Sequence, residues 1–114
     1  MTEARLAAGV RVSALIRRIQ AQGGNAAVLS RGDKIAGAII VTIADRGVTI
    51  GLIEYGHDLD GQGRWRKIGP QLIEKETDIT EYLTRRRRND PDLWVVELDI
   101  ADGERFAAEM ITTG

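Results

Sequence analysis

At 114 residues the chain has room for one domain, and a 43% hydrophobic content gives it one core while excluding a disordered protein. Its net charge of -1 lacks the basic balance of a dedicated nucleic-acid binder, and with no cysteine it has no disulfides, thiolate zinc sites or cysteine nucleophiles. Aromatic residues make up only 4%, so aliphatic side chains must fill the interior.

The opening MTEARLAAGVRV has no long apolar run and carries Glu3, Arg5 and Arg11, so it does not read as a signal peptide. Leu6 to Val12 reads as a short strand. Val12, Leu15, Ile16 and Ile19 then recur at helical spacing, predicting a first helix over Ser13–Gln22 with Ser13 as its cap and Gly23-Gly24 as its stop. Ala26–Ser30 follows as a short apolar strand ending at Arg31-Gly32-Asp33. Ala36–Ala44 is apolar on both faces, the mark of a central strand. The stretch Ile35–Ala44 is also the longest apolar run, about half of the ~20 residues that a membrane span needs.

Asp45-Arg46-Gly47 reads as a hairpin loop with glycine in the left-handed position. In the next strand, Val48–Tyr55, the spacing puts Val48, Ile50 and Leu52 on one face. A loop over His57–Gly63 leads to a further strand, Arg64–Ile68. A second helix is predicted over Asp78–Arg88, with Asp78 and Glu81 as a capping box and Ile79, Tyr82, Leu83 and the stem of Arg86 on its inner side. Pro91 ends it, because Asp90 before a proline is pushed out of helical geometry. Trp94 to Ile100 alternates as a strand, with Trp94 expected to anchor it beneath the second helix. Asp102-Gly103 turns the chain, and the remainder is left open between strand, short helix and disorder over residues 107–114. The expectation is a single α+β domain spanning residues 1–114: an antiparallel meander of four to five strands with two helices packed on it.

The boldest polar feature is the run Arg85, Arg86, Arg87 and Arg88, a candidate surface for an anion or a partner. Cations at a helix C-terminus are also stabilised by its dipole, each by roughly 0.3–1 kcal/mol. Consecutive helical residues turn by about 100° each, so these arginines cannot all face one flat ligand. Asp58 to Gly63 begins like a calcium loop, yet Gly69 stands where the bidentate glutamate belongs, and Arg64 and Arg66 add positive charge. His57 is the sole histidine, and neither Ser13 nor Ser30 sits in a nucleophile elbow. Glu97 and Asp99, two apart on a strand, share a face and form a carboxylate pair of the kind that ligates magnesium or does acid–base work, though the outer face of the sheet accounts for them better as solvated surface. Asp90, Pro91, Asp92 and Trp94 read as a structural junction: the proline fixes a turn, an aspartate accepts its amides, and the tryptophan anchors the strand.

At Arg31-Gly32-Asp33, Ala36-Gly37-Ala38 and, above all, Asp90-Pro91-Asp92-Leu93-Trp94-Val95-Val96-Glu97, the chain resembles a family of small bacterial proteins catalogued as domain of unknown function 1491. The likeness runs from about Arg5 to Phe106 and includes Ser13–Arg18. It implies a compact bacterial cytoplasmic domain and brings no activity, ligand or catalytic residue with it. Three functional readings follow. The first, which needs nothing the chain lacks, is a non-catalytic interaction module with no cofactor, binding a protein partner or pairing as a homodimer through a sheet edge or an apolar face. The second binds nucleic acid or another polyanion through Arg85–Arg88, joined by Arg64, Arg66 and Lys67. The third is a metal-dependent enzyme using Glu97 and Asp99, or Asp58 and Asp60. A cytoplasmic location without membrane contact is expected throughout.

Overall fold

The computed structural model describes residues 6–69 and 76–113. In chain order the elements are α1 (Ala8–Ala21), β1 (Asn25–Ser30), β2 (Ile39–Asp45), β3 (Val48–His57), β4 (Gly63–Ile68), α2 (Glu76–Asn89), β5 (Trp94–Asp99) and α3 (Gly103–Thr113). The strands form one sheet in the order β1-β5-β2-β3-β4. Each neighbouring pair is antiparallel except β2 and β5, which run parallel from Ile39↔Trp94 to Ala44↔Asp99.

Two parts of the expected architecture are therefore corrected. The sheet is mixed, and among the described residues three helices pack on it instead of two. The meander holds from β2 through β4, where short loops force antiparallel neighbours. The chain then passes through α2 before reaching β5, and a crossover of that length returns a strand parallel to its new neighbour. β5 enters between β1 and β2, which the long loop over residues 31–38 holds apart.

The two faces of the sheet are covered unequally. On one, Ala8, Val12, Leu15 and Ile19 of α1 and Phe106 and Met110 of α3 pack against Ile39, Val41 and Ile43 of β2 and Val96 and Leu98 of β5. On the other, Ile79 of α2, with Tyr82 and Leu83, covers Ile40, Leu52, Leu93 and Val95. β2 is buried on both faces, as its unbroken apolar run predicts.

The local differences have identifiable causes. Residues 8–12 are helical, so the strand expected at Leu6–Val12 is not formed. α1 has Ala7 at its N-cap with no side-chain cap; the Ala8 and Gly9 N–H groups instead donate to the Ile35 and Lys34 carbonyls at 3.1 and 2.9 Å. Ser13 is thus an exposed residue within the helix. Its C-terminus stops as expected: Gly23 adopts φ +85°, and the Gly24 N–H reaches back to the Ile19 carbonyl.

In β3 the pairing steps from Ile43↔Gly51 to Ala44↔Thr49, leaving Ile50 as the extra residue of a bulge. Ile50 consequently packs on the α1/α3 side while Leu52 lies under α2, so the expected common face is broken. Trp94 also faces α1, not α2. Leu93 takes the place beneath α2.

Candidate protein interaction surface

The turn that follows α2 and the loop that follows β1 lock into one unit. The Asp90 side chain accepts the Asp92 N–H at 3.2 Å, and its carbonyl accepts the Leu93 N–H, which tightens the turn around Pro91. Asp92 offers its carbonyl to the Asp33 N–H at 2.9 Å. Trp94 answers from the same turn: its indole Nε1 donates to the Asp33 carbonyl at 2.7 Å, and its backbone N–H donates to Ala38 at 2.8 Å.

Within the loop, Asp33 Oδ1 accepts the Ile35 and Ala36 N–H groups at 2.9 and 2.8 Å. These two amides, Ala36 first and Ile35 second, hold the Asp33 carboxyl below its ordinary pKa. Gly32 and Gly37 are required by close approach, since a Cβ would lie 2.1 and 2.3 Å from the Asp92 carbonyl oxygen. The glycine motif and the Asp-Pro-Asp-Leu-Trp motif, far apart in sequence, thus form one clamp. It leaves Arg31, Lys34 and Ile35 facing outward beyond the end of β1, Ile35 being 76% exposed.

Beside that clamp the sheet is open. β1 is the outermost strand, paired with β5 on one side only. Its sequence, NAAVLS, carries no charge, and Val28 and Leu29 remain 38% and 53% exposed. The opposite edge strand, β4, carries Arg64, Arg66 and Lys67, all exposed, which is how proteins ordinarily discourage strand addition. Between β1 and α1 lies a groove of about 630 Å³ walled by Val10, Ile16, Val28 and Ile35, with Arg31 and Lys34 at its rim. Neither cation belongs to an ion pair among the described residues. The sequence signals for this surface were an uncharged strand and an isoleucine at the head of the apolar run that precedes β2, neither of them a titratable group.

The structure divides the arginine run. Arg86 turns inward, and its two terminal nitrogens bind Glu54 Oε1 and Oε2 at 2.9 and 2.8 Å; Nη1 also donates to Tyr82 Oη at 3.0 Å. The hydrogen bonds to Glu54 raise the Arg86 pKa, so the guanidinium keeps its charge. Arg85, Arg87 and Arg88 remain exposed on other sides of α2.

The remaining candidates do not converge. Asp99 commits both carboxylate oxygens to the Arg46 and Gly47 N–H groups of the β2–β3 turn, while Glu97 is half-buried on β5. Asp58 binds the Asp60 and Gln62 amides and pairs with Arg64 at 2.9 Å, closing its own loop. His57 is exposed at the end of β3, set edge-on to Tyr55. Among the described residues no cluster of three or more His, Cys, Asp or Glu has metal-binding geometry, and no helix is long and apolar enough to cross a membrane.

The protein-family model for proteins of unknown function DUF1491 matches residues 6–108. The chain belongs to this family. Three solved structures share its fold. A crystal structure of a DUF1491 family protein from Caulobacter crescentus CB15 is 38% identical, covering 87% of this chain and 92% of that one with a TM-score of 0.74. An NMR structure of a DUF1491 family protein from the same organism is 36% identical, covering 89% and 91% with a TM-score of 0.77. The solution structure of protein Atu0922 from A. tumefaciens is 34% identical, covering 85% and 87% with a TM-score of 0.66. The comparison with curated proteins returned no match. The DUF1491 model spans both halves of the clamp and the whole of β1.

Proposed function

We propose that this DUF1491 protein is a non-catalytic interaction module that binds another polypeptide along the open edge of β1. The observation that carries this reading is the contrast between the two sheet edges. β4 is defended by Arg64, Arg66 and Lys67, whereas β1 offers uncharged backbone flanked by exposed apolar side chains. Unpaired strand amides and carbonyls beside an apolar groove are the equipment for strand addition. Affinity purification and light scattering on the wild type and on Ala27→Lys, which sets a charge on the exposed edge, test the proposal. Recovery of a partner, or self-association, that is lost in the variant supports it. A monomer with no partner at every concentration, or a complex indifferent to Ala27→Lys, contradicts it.

A second reading rests on the three exposed arginines at the end of α2. With Arg86 held by Glu54, Arg85, Arg87 and Arg88 are the members of the run left to neutralise phosphates. The salt dependence on duplex DNA would then have a slope no steeper than about -0.9 for each of them. Unchanged affinity after their replacement by glutamine dismisses this reading.

A further inference from the structure

Resting on the interaction-module reading, we infer that the β1 edge takes an extended peptide segment with apolar side chains at alternate positions and carboxylates at one end. Three features define this occupant. First, the register of β1 against β5 runs unbroken from Asn25 to Val28 before the bulge at Leu29, so an added strand has a regular backbone template there. Second, alternate side chains of such a strand project towards α1. On that side the groove between Val10, Ile16, Val28 and Ile35 is apolar, so it accepts aliphatic groups and rejects a phosphate backbone.

Third, the groove ends in positive charge. Arg31 and Lys34 stand at its rim outside any ion pair among the described residues, and the first turn of α1 contains no acidic residue. A carboxylate on the incoming strand meets the Arg31 guanidinium in a two-pronged hydrogen bond, with Lys34 alongside. Antiparallel addition brings the peptide's N-terminal end to this position, because Arg31 follows directly on the last residue of β1.

A second copy of the chain fits less well. Its own β1 holds no acidic residue, so β1-to-β1 pairing leaves both cations unmatched. The chemistry points to an acidic, aliphatic segment of a different protein.

A random octapeptide display library selected on the full chain tests this directly. Enriched sequences should alternate Val, Ile or Leu with other residues and carry Asp or Glu at one end. Binding of a selected peptide should weaken by about tenfold or more in R31E/K34E. Selection on that variant should instead return Lys or Arg at the same end. Should charge reversal lower the melting temperature, R31Q/K34Q must still weaken the acidic peptide and spare one with an uncharged end. Peptides that bind equally whatever their end charge overturn the inference and leave the edge reading standing. Peptides whose binding ignores Ala27→Lys overturn the edge reading itself. A selection dominated by the chain's own Asn25–Ser30 sequence assigns the surface to a second copy and overturns the inference.

Discussion

Trp94 joins three parts of the molecule with one side chain. Its ring is 4% exposed against α1, its indole N–H ties down the Asp33 carbonyl, and its backbone extends the pairing of β5 to Ala38. Trp94→Ala should cost about 3–5 kcal/mol in chemical denaturation, because it leaves a cavity and an unpaired carbonyl together. A loss below about 1 kcal/mol would show that the clamp contributes little. Asp33 gives the same clamp a pH signature. Its folded-state pKa is depressed by the Ala36 and Ile35 amides, so its contribution to stability is fully present above the ordinary carboxyl value, about 3.9, and is lost as pH falls through the lowered value. Asp33→Asn should therefore lower the melting temperature at neutral pH and flatten its fall in acid; an unchanged acid limb contradicts this. The turn chemistry of Asp-Pro-Asp was legible in the sequence because it is local. Its partners were not, because Gly32 and Gly37 are explained only by a carbonyl from the far end of the chain.

Among the elements, α2 was the most legible in its inner face. The stripe Ile79, Tyr82, Leu83 and Arg86, read from helical spacing, is the one that meets the sheet. What the spacing could not supply was Glu54, a carboxylate 5% exposed on β3 that fastens the helix through Arg86. Removing one partner of a buried pair strands the other. Arg86→Ala should thus cost about 3 kcal/mol, at the low end for such pairs because the arginine side chain is 29% exposed. Arg85→Ala, Arg87→Ala and Arg88→Ala should each stay within about 0.5 kcal/mol in the same denaturation series. Equal effects at all four positions would contradict the division of the run. The start of α1 was missed for a related reason: its first amides are satisfied by carbonyls of the loop after β1, where a local rule looks for a serine. The Ile50 bulge likewise hid the true faces of β3, since a shift of one residue inverts a strand's alternation.

For the whole molecule, the antiparallel meander was readable where loops are short and failed where the chain crosses over through α2. Insertion of β5 beside β2 buries the most apolar strands at the centre and pushes β1, short and uncharged, to the rim. That displacement creates the surface on which the functional proposal stands; the uncharged sequence of β1 becomes informative only once its place at the edge is known. Amide hydrogen exchange read by NMR, with and without a selected acidic octapeptide, tests the claim most directly. The account predicts new protection and shifted signals at Asn25–Val28 and around Arg31 and Lys34, with the amides of Arg85, Arg87 and Arg88 unmoved. Changes confined to the end of α2, with the β1 amides exchanging as fast as before, would contradict it.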